Sequence, residues 1–459
     1  MTKKLNWDVF AEIISHLSPN EVLSMSLACK CLRTLSIPVL LREVVLTLRS
    51  ARQLNQLIDF LLVAVDRRPQ MMRRLELRAD RSPYARPRRR YLGKPKEHLN
   101  EVGFVIALLQ ARNLEILVLE WAEDLFTVYK HSGAIFLGLQ RLKTVQLVDF
   151  GESAMHVLHS SRSAPRGLLL SWPRNFTGYR IQESSAFRHL VEWVIHSVRT
   201  ASLLSNCLVL PSVRYLTWTG SDNVSLASLV TSFPNVQTVE LRENVYSSFL
   251  FWQHLDRFTG HLIDVYSIFA AVQDSISVRY LCLTEDVPAD HDLWAELLSV
   301  LQSCKPYALW LPIDPRDNLT VPPEVLQALD CVRSLKVTIT DQDTVRAHRW
   351  FIKLGDNFRE LRLTAFCLCL KRSRTPQPQD FDADTASYLA GSVPTASLVG
   401  FEADSDESSL HMWWRVMDEE VGAGRRLEQL PLDLSDRVSA TVFSANRNSD
   451  LKANVQAIL

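Results

Sequence analysis

Histidines and cysteines are the residue types best suited to chemistry, and in this chain their spacing does not assemble a site. His156 and His159 stand three apart on an expected helix. No acidic or cysteine side chain lies nearby at ligand spacing, so they read as surface histidines. Cys29 and Cys31 fall on a second expected helix, and Cys367 and Cys369 alternate along an expected strand. Neither pair has a second pair at the spacing of a tetrahedral zinc site. Eight cysteines in 459 residues are too few and too scattered for a disulfide framework. They read as buried, reduced thiols, which suits the cytosol or nucleus. The sequence has no Gly-x-Gly-x-x-Gly, no Gly-x-x-x-x-Gly-Lys-Ser/Thr, no Gly-x-Ser-x-Gly and no His-Glu-x-x-His. Glycine is scarce, 14 of 459, which argues against loops that cradle phosphate. The expectation is a protein with no catalytic residues, no metal and no cofactor.

The bulk properties point the same way. Lys plus Arg (51) balance Asp plus Glu (51), so the overall charge exerts no pull towards nucleic acid or an anionic membrane. Apolar content of 47% with 22% charged residues is globular. Apolar runs such as 60–65 and 103–109 fall well short of the roughly 18 residues a membrane span needs. Met1-Thr2-Lys3-Lys4 leads into an amphipathic segment, unlike a signal peptide. Without secretion, the sequons at Asn175, Asn223 and Asn318 carry no meaning.

Three short helices are expected at the amino-terminal end. Asn6 can cap the first, whose Val9, Phe10, Ile13, Ile14 and Leu17 repeat at helical spacing. In Ser18-Pro19-Asn20-Glu21, Ser18 caps the second helix, Pro19 takes its first position and Glu21 closes a capping box. Cys29, Leu32 and Leu35 belong to a third, which Pro38 should stop. Each is near or below the ~12 residues at which an isolated helix is even marginal, so tertiary or partner contacts must hold it. The apolar positions cover more than one face, which fits either a docking patch or a cap over the next domain.

Residues 3–46 resemble an F-box. The pattern is Leu-x-x-Asp-Val-x-x-Glu-Ile-x-x-x-Leu, then Glu-Val-Leu-x-x-x-Leu-x-Cys-Lys-x-Leu-Arg-x-Leu, then Pro-x-Leu. The resemblance implies docking onto the Skp-type adaptor of a cullin-RING ubiquitin ligase. It assigns the adaptor-facing role to Leu5, Asn6, Val9, Ile13, Leu17, Leu23, Leu27, Cys29 and Leu32. The family usually has Leu-Pro where this chain has Leu5-Asn6, which puts the strength of docking in question.

Beyond residue 48 the chain is too long for one compact core unless the core grows by repetition. A helix over 51–65 is followed by a recurring phrase, apolar-x-x-Leu-x-Leu. It starts at Met72, Leu114, Leu142, Val213, Val236, Val278, Val332 and Phe358, with weaker copies at Pro165, Ala308 and Leu427. The phrase reads as a strand, and helix-like stretches (224–232, 291–303, 323–329 and 344–354) separate the copies. Strand-turn-helix repeated in this way matches a leucine-rich-repeat solenoid with irregular spacing. A compact α/β domain on a parallel sheet is the alternative. The expected fold class is α/β, a short amino-terminal three-helix F-box (1–48) followed by an irregular leucine-rich-repeat-like solenoid (49–434). A basic loop (79–98) and an insertion (371–383) interrupt it, acidic stretches flank Met412-Trp413-Trp414 on an expected helix, and 435–459 reads as a carboxyl-terminal tail.

In such an array the Leu positions point inward and the residues between them line an open face. Glu120, Gln146, Thr217, Glu240, Arg242, Thr284, Lys336 and Arg362 would then contact a target protein. The functional expectation is a non-catalytic substrate-recognition subunit of a Skp–cullin–F-box ubiquitin ligase, cytoplasmic or nuclear, binding neither nucleic acid nor membrane. The rivals are an F-box-like structural adaptor not linked to ubiquitin and an α/β enzyme with a cryptic site.

Overall fold

The computed structural model describes residues 7–48, 51–63, 67–79, 100–128, 139–160, 163–172, 187–198, 208–220, 224–242, 245–246, 251–271, 276–284, 291–313, 321–340, 357–371, 383–404, 409–418 and 425–443. Leu5, Asn6, the three sequons, the basic loop from residue 80 on, the 372–382 insertion and the helix expected at 344–354 lie outside them. The chain divides into two compact units, Met1–Val213 and Arg214–Leu459.

The first unit opens with α1 (Trp7–His16), α2 (Pro19–Ala28) and α3 (Lys30–Arg42). Glu21 accepts hydrogen bonds from the Ser18 backbone N–H (2.8 Å) and hydroxyl (2.6 Å), which settles the start of α2. That bonding holds the Glu21 carboxyl below its usual range. Contrary to expectation, Pro38 sits inside α3. An interior proline removes one ladder bond, but the turn beyond it carries Leu41 into the core, and that burial keeps the helix going.

The chain then alternates strand and helix: β1 (Glu43–Leu48), α4 (Ala51–Leu62), β2 (Arg74–Ala79), α5 (Glu101–Gln110), β3 (Ile116–Leu119), α6 (Ala122–Val128) and β4 (Thr144–Val148). α7 (Glu152–His159), β5 (Gly167–Ser171) and β6 (Glu192–Val198) complete the unit. The strands pair in chain order and in parallel. In register, Leu75, Leu117, Val145, Leu168 and Trp193 form one buried row, and Leu77, Leu119, Leu147, Leu170 and Ile195 the next. These are the two Leu positions of the recurring phrase. β1 pairs with β2, so the segment ending at residue 48 contributes a strand to the repeat sheet.

The second unit continues the pattern: β7 (Tyr215–Gly220), β8 (Val224–Ser225), α8 (Leu226–Ser232), β9 (Thr238–Arg242), β10 (Val245–Tyr246), β11 (His254–Gly260), α9 (Leu262–Ala271) and β12 (Ser277–Leu283). There follow α10 (His291–Cys304), β13 (Ala308–Ile313), α11 (Pro323–Ala328), β14 (Ser334–Thr340), β15 (Ala365–Lys371), α12 (Ala383–Ser392) and β16 (Leu398–Asp404). Apart from the short β8–β10 pair, these strands form one parallel run. Its inward row is Leu216, Val239, Phe258, Leu281, Leu309, Leu335, Phe366 and Val399, all buried. The repeated strand-and-helix unit, with its stacked apolar rows, makes the body leucine-rich-repeat-like.

Where the expectation differs, packing explains it. The copy at Phe358 is no strand; Leu361 and Leu363 are buried in the turn, and the strand phrase is Leu363-x-x-Phe366-x-Leu368, five residues later. β6 and β11 escaped notice because Trp193 and Gly260 hold positions where the phrase has Leu. The array ends in two antiparallel strands, β17 (Ser409–Asp418) and β18 (Arg425–Gln429). Met412-Trp413-Trp414 is therefore strand, not helix. All three are buried although neighbours in a strand face opposite ways, because both faces of β17 are covered. Finally, α13 (Leu432–Val442) runs into the expected tail and buries Ser435, Val438 and Val442, with Phe443 buried behind them.

Candidate functional site

Among the described residues, those suited to chemistry do not converge. His156 is exposed on α7. His159, expected at the surface, is half-buried with its ring edge against Phe187 (centroids 5.7 Å apart), and burial together with His156 pushes its pKa down. Cys29 is not helical but caps α3, its Sγ accepting the Leu32 N–H at 3.4 Å. Both it and Cys31 are exposed, against the expectation of buried thiols. Cys367 and Cys369 are buried in β15, and burial pushes the Cys367 thiol well up. Among the described residues no group of three or more His, Cys, Asp or Glu could hold a metal ion. Among them, too, no helix is long and apolar enough to cross a membrane.

The residues assigned to docking and most of those assigned to target binding fall on two surfaces of the described residues, one in each unit. The first is the apolar side of α1 and α2. Ile14 and Val22 are fully buried and hold the helices together. Val9 (51%), Ile13 (46%), Leu23 (51%) and Leu27 (80%) are exposed, and so is Trp7. Leu17 and Leu32 are half-buried and Cys29 exposed. Of the positions assigned to docking, every described one is at least partly open to solvent. The reason is length: helices of 10 and 13 residues cannot fold their apolar turns on both sides into one bundle.

The second surface is the sheet face carrying the positions between the inward residues of the second unit. Register places Thr217, Glu240, Thr259, Cys282, Trp310, Lys336, Cys367, Gly400 and Trp413 in one row. Its far half is not open. α13 and Phe443 lie over it, and Tyr280, Cys282, Cys367, Trp413, Val438, Val442 and Phe443 share one core cluster. Gly400 makes the room: a Cβ there would stand 2.6 Å from the Trp413 indole.

Lys336 is consequently a correction. It was assigned to target binding, but its side chain is only 8% exposed and forms an ion pair with Glu402, itself 1% exposed. Its ammonium also lies 4.2 Å from the centre of the Trp310 ring, and Ser439 of α13 donates to the other Glu402 oxygen. Burial opposes both charges, but the surroundings outweigh it: Cys367 and Glu402 hold Lys336 above its ordinary value, and Lys336 with the Ser439 hydroxyl holds Glu402 below its own. His411 adds a 3.0 Å contact to Asp436, and Ser435 Oγ accepts the Trp413 N–H at 3.3 Å. Arg362 is corrected too: it is exposed in the turn before β15, not on the face. Thr217 and half-buried Glu240 stand side by side, with Arg242 Nη2 2.6 Å from Glu240. Thr284 bonds His261 at 3.2 Å, and Glu120 and Gln146 are half-buried in the first unit. Within the second unit, Lys336 and Arg362 thus do not share the open face with Thr217 and Glu240.

Glu402, Trp310, Ser439 and Phe443 were missed. Val438, Val442 and Phe443 at helical spacing behind Pro431 were the legible sign of a covering helix. No family model matches the chain, and no curated protein matches it. Among solved structures it is similar to the leucine-rich repeat-containing protein LegL7 from Legionella pneumophila. That match has 13% identity, a TM-score of 0.27, and covers 66% of this chain and 79% of the other. The fold assignment rests on the strand rows above.

Proposed function

We propose that this protein is a non-catalytic substrate-recognition subunit of a Skp–cullin–F-box ubiquitin ligase. Its amino-terminal helices dock onto a Skp-type adaptor, and its leucine-rich-repeat-like body holds a target protein. The single observation that carries the reading is the exposure of the apolar side chains Val9, Ile13, Leu23 and Leu27, four of the residues the F-box resemblance assigns to docking. Burying a side chain of this size is worth about 1.5–3 kcal/mol, so four of them can anchor an interface of standard size, roughly 1,600 Å² in total. Catalysis would lie in the ligase's other subunits, and this chain would act by tethering, which raises the local concentration of target lysines.

The test is co-purification of the full chain with a Skp-type adaptor, alongside Ile13→Asp and Leu27→Asp variants. The reading requires recovery with the wild type and loss with both variants. If the wild type recovers no adaptor, the ligase role is wrong. If the variants recover it normally, the docking surface lies elsewhere. Recovery of the adaptor without a cullin would favour the structural-adaptor alternative.

A further inference from the structure

The amino-terminal ends of the strands in the first unit carry a charge pattern that the docking helices and the repeat core do not use. Backbone bonds fix the residue entering each strand beside its neighbour. Arg73 N–H donates to the Arg42 carbonyl (2.9 Å), Glu115 to Arg73 (2.8 Å), Lys143 to Glu115 (2.7 Å), Arg166 to Lys143 (2.8 Å) and Val191 to Arg166 (2.8 Å). Residues 42, 73, 115, 143, 166 and 191 therefore form one rung, and four of the six are exposed cations. Arg112, Arg141 and Arg188, also exposed, lie in the turns just before it. Among the described residues, Glu115 and, one residue on at the outer strands, Glu43 and Glu192 stand against these seven cations. In a chain of zero net charge this rim is strongly basic.

We infer that this rim binds an acidic protein segment, an inference that rests on the reading of the body as a holder of target proteins. The fitting ligand is displayed within the rung itself. The Glu115 carboxylate bridges Lys143 (2.5 Å) and Arg73 (3.3 Å), and the Lys143 hydrogen bond chiefly holds its carboxyl below the usual range. A carboxylate thus spans two cations at the pitch of the rim. Arg112, Arg166 and Arg188 are exposed and form no ion pair with another described residue. At about 4.8 Å per strand the rung is roughly 24 Å long, matched by an extended peptide of about seven residues. Its residues and the three turn arginines include no Phe, Tyr or Trp on which a base could stack, which favours protein over single-stranded nucleic acid.

The experiment uses the full chain and a fluorescein-labelled polyglutamate peptide of about eight residues, with polyserine as control, read by anisotropy at two salt concentrations. Wild type should bind polyglutamate and lose affinity as salt rises. The triple variant Arg73→Gln, Lys143→Gln, Arg166→Gln should bind at least about tenfold more weakly while keeping its melting temperature, because all three side chains are exposed. Glu115→Gln, which releases two cations from their internal carboxylate, should bind roughly two- to fivefold more tightly. The inference is overturned if polyglutamate binds no better than polyserine, if the triple variant matches wild type, or if an oligothymidylate of equal charge binds more tightly than the peptide. Adaptor recovery by the triple variant is read separately, so a failed rim and a failed docking surface are distinguishable.

Discussion

Removing one member of the Lys336–Glu402 pair should loosen the carboxyl-terminal helix far more than removing both. Lys336→Met leaves a carboxylate that is 1% exposed with the Ser439 hydroxyl as its remaining donor across the helix interface. Breaking a buried pair in this way costs about 3–5 kcal/mol, whereas replacing both charges by apolar groups of similar size is often neutral. The double variant Lys336→Met, Glu402→Leu surrenders the Ser439 bond, about 1 kcal/mol, with Ser439 near enough to solvent to find water, and the Lys336 contact on the Trp310 ring, which the methionine sulfur partly replaces. The coupling between the two sites should therefore be about 3 kcal/mol or more. Hydrogen exchange across 432–443, followed by mass spectrometry, reads the helix directly. Each single variant should speed exchange there by about 10²- to 10³-fold, and the double variant by about tenfold or less. The pH dependence follows from the depressed Glu402 pKa. The pair's contribution is complete above the ordinary glutamate value of 4.5 and is lost as pH falls through it towards the folded value. Wild-type protection factors across 432–443, taken relative to the intrinsic exchange rate at each pH, should fall over that window, and those of the double variant should show no such step. Single variants that exchange like wild type, or effects that simply add, would refute the reasoning.

Three further outcomes are expected. Gly400→Ala puts a Cβ 2.6 Å from the fully buried Trp413 indole, with Phe443 packed beside that ring at 6.1 Å, and should destabilise by about 1–3 kcal/mol in thermal or urea unfolding. His159, whose pKa burial depresses, is protonated more readily in the unfolded chain, so stability should decline as pH falls below the ordinary value of 6.5. His159→Phe should flatten that slope. Leu27→Asp, at a position 80% exposed, should change stability by less than about 0.5 kcal/mol while abolishing adaptor recovery.

Several features were legible in the residues because they are local. Ser18-Pro19-Asn20-Glu21 specifies a helix start by hydrogen bonds three residues long, and the structure has that start. The apolar-x-x-Leu-x-Leu phrase specifies a strand with two inward apolar residues, and most of its copies are strands. Reading failed where a neighbour changed the rule. The apolar run Met412-Trp413-Trp414 satisfies a buried strand as well as a helix, and only the cover on both faces decides between them. Phe358 begins a phrase of the right form that register displaces by five residues, because Phe366 is what meets Leu335.

The sequence by itself determined the period of the body, the amphipathic helices at its start and the scarcity of catalytic signatures, since these depend on residue type and spacing alone. Tertiary structure decided which faces are open. Lys336 alternates with core residues exactly as a solvent-facing position does, and nothing near it in the chain says otherwise. Glu402 and Ser439, 66 residues from Lys336 and 37 from Glu402 respectively, turn it into a buried charge, because α13 returns across the sheet and its burial outweighs the desolvation of an ion pair. Packing likewise decided that Val9, Ile13, Leu23 and Leu27 are exposed while Ile14 and Val22, on the same helices, are buried.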